Sequence, residues 1–172
     1  INYILQHRGE RTNIVTIEDP IEREIPGINQ TQVNNKRGLT FATGLRSMLR
    51  QDPDVIVVGE VRDHETAEIC TQAGLTGHLV ISTIHADSSV GVFNRLIDMN
   101  IEPFLLSSSL CGVIAQRLVK KNCPDCSEPI VPSLKTMKNL GINLSEQINF
   151  MKGKGCASCN YRGFKGRVGI FE

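Results

Sequence analysis

No Gly-x-x-x-x-Gly-Lys-[Ser/Thr] loop and no Gly-x-Gly-x-x-Gly occurs anywhere in the 172 residues. The first would supply a backbone N–H cradle and a lysine for terminal phosphates, the second a dinucleotide turn. These residues therefore hold no self-contained phosphate cradle of either kind. No apolar run approaches the roughly 20 residues that cross a bilayer. Residues 1–9 lack the basic segment, long apolar segment and small-residue cleavage site of a secretory leader. The formal net charge of +1 gives no overall basic field for nucleic acid. Internal repeats and low-complexity stretches are missing too.

What is there suits a soluble globular protein with one ordinary domain and a small appendage, at 40% hydrophobic and 22% charged residues. Residues 1–9 read as the last turns of a helix stopped by Gly9, and residues 168–172 as a strand cut before any turn. The expectation is a chain excised at both ends.

The most informative segment is 51–63. Its β-branched run, Val55 to Val58, is bounded by turn formers, as in a strand buried on both faces of a parallel sheet. Such strands deliver their following residues to a ligand crevice, here Glu60. A second apolar strand over 13–17 ends on Glu18, Asp19 and Pro20, and a third over 79–83 leads into His85. Residues 21–39 suit a long irregular loop. Helices are expected from Thr40, its N-cap, with Phe41, Leu45, Met48 and Leu49 on one face, and near 64–75, 88–99 and 103–116. Strand and helix alternate, which predicts an α/β fold with a mainly parallel sheet flanked by helices. Past Leu118 cysteines, glycines and prolines take over, with a helical patch near 133–141 and a turn over 162–167 before the last strand. The predicted division is 1–120 for the core and 121–172 for a cysteine subdomain.

Three strand ends thus bring Glu18 and Asp19, Glu60, and His85 toward one crevice. Carboxylates there suit Mg²⁺, usually through water, or the orientation of an attacking water, as phosphoryl transfer requires. His85 suits a terminal phosphate, and Arg46 and Arg62 suit charge developing on a transferred group. Taken singly, each has an ordinary alternative: a cap, a satisfied loop histidine, solvated salt-bridge partners. The basic residues Arg117, Lys120 and Lys121, and Arg162, Lys165 and Arg167, read as solvated faces.

Cys123-x-x-Cys126 and Cys156-x-x-Cys159 form two knuckles separated by residues 127–155. Two knuckles offer the four thiolates of a closed structural Zn²⁺ site, with a disulfide pair or free thiols as the alternatives. Cys70 and Cys111 fall in helical patterns and read as buried packing residues.

These residues resemble the secretion ATPases that power type II secretion and type IV pilus assembly. Residues 16–22 look like that family's aspartate box, 49–63 like its Walker B segment, and 76–85 like its histidine box. The paired CxxC knuckles resemble the tetracysteine metal-binding subdomain of assembly-type members, which retraction-type pilus ATPases usually lack. The resemblance implies a RecA-like core and a homohexamer that turns over ATP with Mg²⁺. It makes Glu60 the Walker B glutamate, Glu18 the aspartate-box acid beside Asp19, His85 the nucleotide-sensing histidine, and Arg46 and Arg62 arginines near phosphate. Partners would be an inner-membrane platform and cytoplasmic secretion or pilus proteins, with no specific nucleic acid. The location implied is the cytoplasmic face of the bacterial inner membrane, through those partners. The family's P-loop lies upstream of Ile1, so the 172 residues alone are expected to be inactive. Two other readings compete: a non-enzymatic zinc-stabilised module that binds protein or nucleic acid, and a DNA-pumping or conjugation ATPase of the same superfamily.

Overall fold

The computed structural model describes residues 12–141 and 149–172; the helix end expected at residues 1–9 lies outside them. The chain divides into two compact units, residues 1–115 and 116–172.

In the first unit, strands β1 (Ile14–Glu18), β2 (Asn29–Gln32), β3 (Val55–Val58) and β4 (Leu79–Ser82) form one sheet in the order β2-β1-β3-β4. Every pairing is parallel. The two central strands are the apolar ones, and Ile14, Val15, Ile17, Val55, Ile56 and Val58 are all at most 2% exposed. Each such side chain contributes roughly 1.5–3 kcal/mol by leaving water.

Helices α1 (Phe41–Met48) and α2 (His64–Leu75) cover the sheet through Leu45, Met48, Ile69 and Ala73. Thr40 caps α1 as expected, in a reciprocal box with Thr43. Asp63 caps α2 by accepting from the Thr66 N–H at 2.8 Å. A second cluster joins Val61 and Ala67 to Val92, Leu96, Met99, Ile101 and Leu106, from α3 (Ser89–Asp98), α4 (Pro103–Ser109) and their flanks.

Two expectations change. The loop read over 21–39 contains β2, an edge strand of polar residues that no apolar run announces. Its register comes from β1, with Val15 opposite Asn29 and Glu18 opposite Gln32. The helix expected over 103–116 stops at Ser109. Ser107, Ser108 and Ser109 turn their hydroxyls back onto the carbonyls of Phe104 and Leu105, which weakens a helix end. Cys111 consequently lies in the extended segment beyond and is exposed, not a packing residue.

The second unit begins with β5 (Gln116–Asn122), which pairs antiparallel with β8 (Phe164–Phe171), while β6 (Ser127–Ile130) pairs antiparallel with β7 (Phe150–Gly153). Because 116–122 is a strand committed to β8 rather than the end of a helix, the division between units falls ahead of it. A short helix α5 (Leu134–Asn139), capped by Ser133, follows β6. Gly153 and Gly163 cross backbone to backbone: a Cβ on either would fall on the other's carbonyl. Lys120 holds its ammonium 5.5 Å from the Phe164 ring centroid, a cation–π contact on the β5–β8 ribbon.

Candidate functional site

Ile17, Val58 and Ser82 lie in one row across the sheet. Glu18 follows that row by one residue, Glu60 by two and His85 by three. The strand ends beyond the row are stitched together. The Gly59 N–H donates to the Ile17 carbonyl at 2.8 Å and the Val61 N–H to the Thr83 carbonyl at 2.9 Å. The Thr83 hydroxyl donates to the Gly59 carbonyl at 2.7 Å, and that of Ser82 to the Val58 carbonyl at 2.9 Å. Gly59 has no side chain where the β1 and β3 ends approach: a Cβ there would lie 3.4 Å from Glu18 Cα.

Val61 is buried in the second cluster, whereas Glu60 beside it is half-buried and Arg62 exposed. Ile84 and Ala86 pack against the same cluster and leave His85 between them exposed. The result is a compact triad. Arg62 Nε lies 2.5 Å from Glu60 Oε2, and His85 Nε2 lies 3.6 Å from the same oxygen. Glu60 is only 15% exposed while His85 is 90% exposed, so the acid is rooted and the imidazole faces solvent. The hydrogen bond and charge of Glu60, with the charge of Asp19 behind them, push the Arg62 guanidinium further up in pKa.

Glu18 is held differently. Its Oε1 accepts from the Thr16 hydroxyl at 2.5 Å and from Gln30 Nε2 at 3.0 Å. Gln30 also donates to the Arg23 carbonyl and accepts from the Ile25 N–H, so β2 and the preceding loop orient the acid. Arg46 does not join the triad; it pairs with Glu65 at the start of α2, at 2.7 Å. Thr16, Gln30 and Thr83 were not singled out in the sequence. Only the β-alternation beside Glu18 could have flagged Thr16, and nothing flagged Gln30, which arrives from an unannounced strand.

All four knuckle cysteines meet in the second unit. Their Sγ atoms lie within 4.8 Å of one another. Cys123–Cys156, Cys126–Cys159 and Cys156–Cys159 are each 3.9 Å apart. A tetrahedral ion with metal–sulfur bonds of about 2.3 Å has sulfur–sulfur edges of about 3.8 Å, so the set fits. A disulfide needs about 2.05 Å, and all six cysteines are free. N–H groups of Gly155, Cys156 and Gly163 point at the sulfurs, the first at Cys126 and the other two at Cys159, at 3.2–3.3 Å. Those two donors pull the Cys159 thiol down to about 6, whereas burial pushes Cys126 up to about 12 and Cys123 upward as well. Beside them, the Ser158 hydroxyl first and the Lys165 charge second hold the Asp125 carboxyl below its ordinary range.

The family model described as "Type II/IV secretion system protein" matches residues 2–172. Type II secretion system protein E of Pseudomonas aeruginosa is 55% identical over 165 residues, covering 95% of this chain and 33% of the relative. The type IV pilus assembly ATPase PilB of Thermus thermophilus is 52% identical over 162 residues, 93% of this chain and 18% of that protein. Among solved structures, the pilus retraction motor PilT with bound ADP aligns with a TM-score of 0.62 at 40% identity, over 70% of this chain and 37% of that one. The chain spans about a third of the length of the type II secretion relatives, at 33% and 32%. Among the described residues no helix is long and apolar enough to cross a membrane. A parallel α/β sheet with acids and a histidine on successive strand ends, together with similarity over nearly the whole sequence, gives one conclusion: the chain belongs to the type II/IV secretion system protein family, among ATPases of secretion and pilus systems.

Proposed function

We propose that this chain carries the acid-and-histidine side of the nucleotide site in an ATPase that drives type II secretion or type IV pilus assembly. The observation that supports it most is the Glu60 carboxylate, rooted at the end of β3 with one oxygen shared by Arg62 and His85. In this reading Glu60 accepts the proton of an attacking water, and Glu18 and Asp19 sit on the metal side. His85, the exposed member, reports a terminal phosphate through its imidazole. Mg²⁺ supplies charge neutralisation on the phosphates when bound. Arg62 has two tasks: holding Glu60 in place, and offering a guanidinium to phosphate oxygens. Arg46, tied to Glu65, acts only after that pair opens.

The phosphate cradle belongs to residues outside these 172, consistent with relatives about three times as long at 33% coverage. The active form is a homohexamer at the cytoplasmic face of the inner membrane, engaging a membrane platform and pilus or pseudopilus proteins. The four cysteines hold structural Zn²⁺, which leaves no open coordination position for catalysis. The nucleotide-site residues lie in the first unit and the zinc cysteines in the second, residues 116–172.

Steady-state ATP hydrolysis by the longer protein tests the nucleotide reading. Arg62→Ala and His85→Ala should each lower turnover by at least tenfold, on the order expected for a lost charge-stabilising group; unchanged turnover in both removes the reading. Metal analysis of protein purified without added zinc tests the second site. About one zinc per chain is expected, from four ligands per ion, and a zinc-free folded protein removes it.

A further inference from the structure

A polar chain containing no cysteine joins the two knuckles. Asp125 lies inside the first knuckle, Ser158 inside the second, and Lys165 on β8. The Ser158 hydroxyl donates to Asp125 Oδ2 at 2.6 Å, and Lys165 Nζ donates to Ser158 Oγ at 2.7 Å. Lys165 Nζ also stands 3.6 Å from Asp125 Oδ2. That same carboxylate oxygen is 4.0 Å from Cys123 Sγ.

Two features set this chain apart from an ordinary surface pair. It spans 33 residues of sequence between Asp125 and Ser158, so local chain geometry cannot produce it. It also runs between the very turns that carry the sulfurs, with Asp125 next to Cys126 and Ser158 next to Cys159. Half-exposed ion pairs contribute little to stability as such. Residues that orient metal ligands act in another way. They lower the ordering cost of assembling the ligands, and their loss typically weakens metal affinity 10–100-fold.

We propose that Asp125, Ser158 and Lys165 form a latch that sets the two knuckles at coordination distance before the metal arrives. These are positioning residues, and the inference rests on the four cysteines being a metal site. Asp125, Ser158 and Lys165 all touch one another, so the three behave as one unit and their losses do not add.

Zinc affinity of the 172-residue chain, measured by competition with a chromogenic chelator, tests this. Ser158→Ala and Lys165→Met should each bind zinc about 10–100-fold more weakly. The double variant should bind no more weakly than the weaker single one, and Lys165→Arg should recover most of the affinity. Circular dichroism at saturating zinc checks that each variant folds. Ser158→Ala, which removes one oxygen, carries the test if Lys165→Met does not fold. Wild-type affinity in both single variants, or strictly additive losses in the double, overturns the latch while leaving the metal site standing. Failure of the unsubstituted chain to bind zinc at all overturns the metal reading and the latch with it.

Discussion

Arg62 Nε lies 2.5 Å from Glu60 Oε2, two residues along the same loop, and the buried Val61 between them points into the opposite cluster. Both contacts of Glu60 fall on the same carboxylate oxygen, since His85 Nε2 also lies 3.6 Å from Oε2. Under the proposed reading, that geometry orients the acid for work on a water or a hydrated metal.

The crossing of Gly153 and Gly163 gives a sharp stability prediction. Gly163 accepts from the Cys123 N–H at 2.9 Å and donates to Cys159 Sγ at 3.2 Å, so the crossing is continuous with the cysteine set. Gly153→Ala should force these backbones apart, destabilising the second unit by about 2 kcal/mol or more and lowering its zinc content. Gly112→Ala, where a Cβ meets nothing within 4 Å, is the control. Thermal melts with metal analysis check both, and an unaffected Gly153→Ala contradicts the packing.

Elements buried on both sides were legible in the sequence, because β3 is a continuous apolar run and β1 is broken only by Thr16 before Glu18. The polar edge strand β2 was not, since only its pairing to β1 and the Gln30 bond to Glu18 define it. Glu60 and His85 could be brought to one place from strand ends alone, because β3 and β4 are neighbours in register. The Arg46–Glu65 pair could not, as it depends on how α1 packs beside α2. CxxC spacing announced the cysteine cluster, whereas Asp125, Ser158 and Lys165 meet only through the fold of the whole unit.

Thr66 offers a gain in stability. It is 1% exposed, and its hydroxyl has no hydrogen-bond partner among the described residues. Its backbone N–H, not its side chain, serves the Asp63 cap. Thr66→Val should therefore raise stability by up to about 1 kcal/mol, seen as a higher urea midpoint at unchanged slope. A lower midpoint would mean the hydroxyl has a partner.

Cys70 makes stability depend on alkaline pH. It packs against both apolar clusters of the first unit, and burial, then the charge of Asp63, pushes its thiol up to about 12. The folded state favours the neutral thiol, so this contribution is full below the ordinary value of 9.0 and is lost as pH rises toward 12. Urea midpoints of the chain and of Cys70→Ala should therefore converge between pH 8 and pH 11, and a constant gap contradicts the assignment. Taking the difference isolates Cys70 from the knuckle thiols that titrate in the same range.

The central claim concerns Glu60, and Glu60→Gln in the longer protein tests it most directly. Glutamine keeps the shape and a hydrogen bond to Arg62 but cannot take a proton. Mg-ATP binding should stay within a few-fold of the unsubstituted protein, while turnover falls by about 10²-fold or more, as for a lost general base. Turnover near the unsubstituted rate, with binding intact, would contradict the role given to the acid at the end of β3.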